Sequence, residues 1–190
     1  DNRNEIKILK KNSESVEKRE GIDQAHFVFA VHAPLIRDKE YYTLEVLDAY
    51  LANGMSSRLF LKIREEKGLA YSVLSSVNSE RNYSYYSIYA GTKKEAVPEV
   101  KKIILSEFEN IRNMSEKDLK EAKERLIGLR KISSEESARV MNELLFTELA
   151  GKAEEYYKHE KHVNAVKLEQ VKKLAGEIIK KYSTAAILPK

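Results

Sequence analysis

Two runs of alternating character, from Tyr71 to Val77 and from Tyr83 to Gly91, stand on either side of the polar turn Asn78-Ser79-Glu80-Arg81-Asn82. Alternation with period two around a short polar turn specifies a β-hairpin, and a hairpin alone is marginal in water, so it needs more strands or a helical layer. Tyr83, Tyr85 and Tyr89 fall on one face of the second strand, and Tyr86 and Ile88 fall on the other. Upstream, the stretches from Glu5 to Lys10 and from Ala25 to Ala33 read as strands, the latter with Phe27, Phe29 and Val31 on one face. Between them and the hairpin come two helices. The first opens at Asp38, carries Leu44, Leu47 and Leu51, and stops at Asn53-Gly54. The second starts at Ser56 or Ser57, either of which can cap it, buries Leu59, Phe60 and Ile63, and closes at Gly68.

Helical periodicity continues after the hairpin. Val97, Val100, Ile103, Ile104, Phe108 and Ile111 form one stripe, with Pro98 acceptable in the first turn. Ser115-x-x-Asp118 caps a helix that carries Leu119, Ala122, Leu126 and Leu129 to about Ile132. Another starts at Ser134, with a stripe of Ala138, Met141, Leu145 and Leu149, and stops at Gly151. A shorter helix is expected from Glu154 to His162, then a last one through Leu168, Val171, Leu174, Ile178 and Ile179, and a strand from Ala185 to Leu188. This order predicts an α+β fold, a mixed and largely antiparallel sheet packed on one side by helices.

A chain of 190 residues is long enough for one sizeable core, so residues 1–190 read as a single domain. Hydrophobic residues make up 42% and charged residues 34%, which excludes disorder as the general state. No run approaches the roughly 18 apolar residues of a membrane span, and Asp1-Asn2-Arg3-Asn4 lacks the apolar core of a signal peptide. With no cysteine there is neither a disulfide nor a thiolate metal site, and a cytoplasmic location is the expectation. The net charge of +4 comes from 34 basic and 30 acidic residues. They are interleaved, as in Glu116-Lys117-Asp118-Leu119-Lys120-Glu121, so nucleic acid is not an expected partner. An RNA-binding sheet using Tyr83, Tyr85 and Tyr89 is the weaker alternative, and it requires affinity that falls steeply with salt.

The stretch from Asn53 to Val73 holds Gly-Met-Ser-Ser-Arg-Leu-Phe, then Ile-Arg-Glu-x-x-Gly-Leu-Ala-Tyr-Ser-Val. It resembles the signature of the second, non-zinc domain of the pitrilysin and mitochondrial processing peptidase family, the inverzincins. Gln24-Ala25-His26-Phe27, Ala90-Gly91-Thr92, Glu121-Ala122-Lys123 and Val163-Asn164-Ala165-Val166 extend the resemblance over nearly the whole chain. It implies a domain that faces a zinc-bearing domain across a chamber. The zinc motif of that family, HxxEH, is absent from this sequence. His159-Glu160-Lys161-His162 has the wrong order and length and reads as ordinary exposed histidines, while His26 and His32 read as structural.

The same resemblance implies that Arg64 and Tyr71, seven positions apart, position the peptide substrate and stabilise the tetrahedral intermediate. Periodicity alone gives a plainer reading, in which Arg64 opposes a helix macrodipole and Tyr71 begins a strand. Arg58 is read as structural. No metal ligand is expected in this chain, and zinc would be bound by an N-terminal half or by a partner subunit. The start at Asp1 suggests the C-terminal half of a longer two-domain subunit, dimeric in the complete protein and inactive without its zinc half. A catalytically silent scaffold subunit of the same fold is the alternative.

Overall fold

The computed structural model describes residues 9–190. They form β1 (Ser13–Arg19), β2 (Ala25–His32), α1 (Tyr41–Leu51), a π-helix (Phe60–Glu66), β3 (Ala70–Ser79), β4 (Ser84–Thr92), α2 (Val97–Asn110), α3 (Glu116–Ser133), α4 (Ser137–Ala150), α5 (His159–Ala165), α6 (Leu168–Ile178) and β5 (Tyr182–Pro189). The strands make one sheet in the order β1-β5-β2-β4-β3. β1 runs parallel to β5 and the other pairs are antiparallel. The architecture is therefore the α+β arrangement that the hairpin and helical stripes specify.

Strand periodicity decides which side carries the core. Phe27, Phe29 and Val31 of β2 and Tyr86, Ile88 and Ala90 of β4 are buried, while their alternates His26, Val28 and Tyr85 are partly or largely exposed. Leu44, Leu47 and Leu51 of α1, Val100, Ile104 and Phe108 of α2, and Val171 and Leu174 of α6 join them in one cluster. Phe29 stacks on Tyr182 with ring centroids 5.0 Å apart and also meets Phe108 at 6.0 Å. Two carboxylates lie within this layer. Asp48 of α1 accepts a hydrogen bond from the Tyr86 phenol at 2.9 Å, and burial pushes its pKa up. Burial also pushes Glu107 of α2 upward, but hydrogen bonds from Lys62, Arg58 and Asn110 outweigh it and hold the carboxyl below its ordinary range.

Several local features differ from expectation. The strand expected from Glu5 to Lys10 lies almost wholly outside the described residues, and Leu9 and Lys10 are not in a strand. β1 instead forms at Ser13–Arg19, exposed along its whole length, so no apolar alternation announces it. Neither serine caps the second helix: the Ser57 hydroxyl is buried without a partner, and a helical turn leads at once into π-winding. By contrast, Ser115 and Asp118 form the expected capping box.

Candidate functional site

Arg64 lies in the last turn of the π-helix, and Tyr71 is the second residue of β3. Between them Gly68 adopts φ of 58°, a left-handed conformation that costs glycine little, and so turns the chain from helix to strand. Gly68 N–H donates to the Arg64 carbonyl at 3.1 Å and Leu69 N–H donates to the Ile63 carbonyl at 2.8 Å, which satisfies the helix end. The Thr92 hydroxyl donates to the Leu69 carbonyl, tying the corner to β4. Lys67 reaches Glu99 of α2 at 2.6 Å, tying it to the helical layer.

Behind the corner, Glu107 receives Arg58 at 2.9 Å and Lys62 at 2.5 Å, and its own side chain is almost wholly buried. Arg58 is thus a structural clamp on the helix that carries Arg64. A π-turn changes the angular position of every later side chain relative to an α-helix and is a recurrent feature of functional sites.

The two sequence-selected residues are both presented outward at this corner. Tyr71 is 62% exposed, and it sits at the register irregularity between Ala70 and Ser72, where a bulge re-aims a side chain. The Arg64 side chain is 47% exposed. Its guanidinium lies 5.0 Å over the Phe60 ring, and its Nε is 3.8 Å from Glu65, beyond hydrogen-bonding range. Phe60 thus supports the guanidinium while its planar donors remain available.

The opposite end of the sheet holds a groove of about 1040 Å³ between α1, the hairpin turn, α4 and α5. Several of its polar groups are paired with one another. Glu45 accepts from the Tyr41 hydroxyl at 3.2 Å and lies 2.8 Å from His159 Nε2. Glu155 lies 2.8 Å from His162, whose ring stacks on Tyr42 at 4.5 Å, and Arg130 reaches Glu143 at 2.7 Å. The expectation of two exposed histidines is corrected here: His159 is only 6% exposed, because α5 folds back and places it against Glu45 of α1. No local sequence pattern reveals that contact, since 114 positions separate the two residues.

Residues 3–126 match the protein family described as the peptidase M16 inactive domain. The chain belongs to that family. An uncharacterized zinc protease of Bacillus subtilis, YmxG, is 31% identical over 185 residues, covering 93% of this chain and 44% of that protein. This M16 inactive domain therefore spans less than half the length of that relative. Among solved structures, a protease from Helicobacter pylori superposes with a TM-score of 0.84 at 17% identity, covering 93% of this chain and 44% of that one. The peptidase M16 inactive domain from Pseudomonas fluorescens does so with a TM-score of 0.79 at 21% identity, covering 95% and 44%. These likenesses establish the fold.

Among the described residues, no group of three or more His, Asp or Glu is placed to hold a metal ion. His159 and His162 are each engaged by a carboxylate instead. No described helix is long and apolar enough to cross a membrane.

Proposed function

We propose that this domain is the substrate-gripping, non-zinc half of a zinc-dependent endopeptidase, and that Arg64 and Tyr71 hold the peptide. The observation that supports the reading is their joint outward presentation on the two sides of the Gly68 corner, with no hydrogen bond from the guanidinium among the described residues. Arg64 offers fixed donors to peptide carbonyls. The Tyr71 hydroxyl donates to the scissile carbonyl oxygen as it gains negative charge, when a hydrogen bond is worth most. Zinc, held by the other half, supplies the activated water.

The partner in this reading is a zinc-bearing N-terminal domain, in the same chain or in a companion subunit, and the complete protein is a dimer. The isolated domain hydrolyses nothing, and adding the zinc-bearing half gives chelator-sensitive peptide cleavage. In that assembled protein, Arg64→Ala lowers kcat/KM by about 10- to 100-fold, the effect of losing a charged hydrogen bond. Unaltered turnover of both Arg64→Ala and Tyr71→Phe, with folding intact, would instead establish a silent scaffold. Chelator-sensitive cleavage by this domain alone contradicts the reading outright.

A further inference from the structure

The two edges of the sheet are built differently. β1, at one edge, carries Glu14, Glu17, Lys18 and Arg19 among its seven residues, and charge on an edge strand discourages pairing with another chain. β3, at the other edge, is ten residues long, Ala-Tyr-Ser-Val-Leu-Ser-Ser-Val-Asn-Ser, with neither a charge nor a proline. Its Tyr71 and Leu74 side chains are exposed. A long edge strand of this character is a template for strand addition.

The hydrogen bonds around the hairpin show which backbone groups of β3 face outward. Glu80 N–H donates to the Tyr83 carbonyl at 2.9 Å, so these two form a bonded pair at the turn. The Ser84 carbonyl accepts instead from Ala33 N–H at 3.2 Å, on the β2 side of β4. Bonded and non-bonded pairs alternate along an antiparallel ladder, and the register between β3 and β4 is unbroken from Ser72 to Ser79. Val73, Ser75 and Val77 therefore turn their N–H and C=O groups away from β4. Among the described residues, β3 pairs with no strand except β4, and no backbone–backbone hydrogen bond joins this outer side to another element.

The corner indicates what this edge receives. Tyr71 is the second residue of β3, so a peptide held by Arg64 and Tyr71 lies at the start of the strand. Continuing in extended form, it runs beside Val73, Ser75 and Val77. Outward groups on every second residue match the repeat of an extended backbone, and such main-chain pairing binds peptides largely without regard to side-chain identity.

We propose that β3 takes the extended peptide substrate as an added strand, with the peptide backbone paired to Val73, Ser75 and Val77. The pairing rests on the reading of Arg64 and Tyr71 as substrate contacts.

The chain has no cysteine, so an introduced thiol is unique within it. Leu74→Cys and Ser76→Cys each place one at an exposed position of β3, and Val16→Cys places one on the opposite edge. Each variant, and the wild type as background, is assembled with the zinc-bearing half and stripped of metal by a chelator so that the peptide stays whole. Peptides carrying one cysteine at successive positions are then equilibrated with it in a thiol–disulfide buffer. Directly opposed Cβ atoms on paired strands lie about 5 Å apart, so capture reports register. Leu74→Cys captures one peptide position above its neighbours, Ser76→Cys captures the position two residues away, and Val16→Cys captures none above background. N-methylation of the peptide weakens capture by about three- to tenfold at alternate amides, as loss of one neutral hydrogen bond does. No capture on β3, or capture without the two-residue step, overturns the added strand. So does a disulfide between two copies of Leu74→Cys that excludes the peptide, which assigns the edge to a second copy. If Arg64→Ala and Tyr71→Phe impair turnover while the β3 thiols capture nothing, the added strand alone fails; if those variants are silent as well, the substrate-gripping reading fails with it.

Discussion

At the hairpin end of the sheet, Glu45 engages both Tyr41 and His159, Glu155 engages His162, and Arg130 engages Glu143. At the Gly68 end, Arg64 rests on Phe60 with the Glu65 carboxylate 3.8 Å from its Nε, beyond hydrogen-bonding range, and Tyr71 projects from an irregular strand start. The hairpin end holds the groove, yet Glu45, Glu155, Arg130 and Glu143 there are engaged in contacts that involve α4 and α5. The corner presents Arg64 and Tyr71 outward. Cavity size points to the hairpin end, whereas the commitment of hydrogen bonds favours the proposed corner.

The contrast breaks most visibly under paired substitutions. Tyr71→Phe in the assembled enzyme is expected to lower kcat by about 100-fold or more, since it removes a donor to developing charge, and to leave the melting temperature unchanged. Steady-state kinetics beside calorimetry checks both halves of that statement. Glu45→Ala should do the reverse. His159 Nδ1 has no partner among the described residues, so the substitution leaves both ring nitrogens of a buried imidazole without one there. Denaturant unfolding should show a loss of about 2–3 kcal/mol, with kcat of the folded protein intact.

A smaller effect sharpens the role of the corner's support. Because Glu107 is held below the ordinary carboxylate range, the unfolded chain binds its proton first as pH falls. Its stabilisation is therefore present above that range and is lost as pH drops through it toward the lowered value. Asp48 has the opposite sign: with its pKa raised, stability is greatest below the ordinary range and falls as pH rises through it toward the raised value. Glu107→Gln should flatten the acid limb of a stability-versus-pH curve and Asp48→Asn the other limb, each by about 1 kcal/mol. The smallest effect belongs to α4. Leu145→Ser should change unfolding free energy by less than about 0.5 kcal/mol, because the side chain is exposed and buries little on folding.

That last case shows how far the sequence could be read. The hairpin, the capping box at Ser115 and the glycine turn at 68 follow from local chemistry, and each forms as expected. α2 and α4 are equally long and both carry apolar stripes, but α2 buries Val100, Ile104 and Phe108 while Met141, Leu145 and Leu149 of α4 remain exposed. Periodicity identifies a face and carries no information about what covers it. β1 carries no sequence signal, because an exposed strand paired through its backbone to β5 needs no apolar alternation. The π-winding at Phe60–Glu66 was also hidden, since its side-chain pattern serves an α-helix equally well. For the site, Arg64 and Tyr71 follow from the family resemblance alone. The register irregularity at Tyr71 depends on strand pairing and emerges only in three dimensions.

The most direct measurement compares the two ends within one protein. Benzoylphenylalanine is placed at Tyr71 in one preparation and at Tyr156, in the hairpin-end groove, in another. Each is assembled with the zinc-bearing half, stripped of metal by a chelator so that a peptide stays whole, and irradiated with a biotinylated peptide that the active enzyme cleaves. Peptide should become attached at position 71 and not at 156; attachment at 156 with none at 71 would contradict the assignment of the corner as the peptide-holding surface.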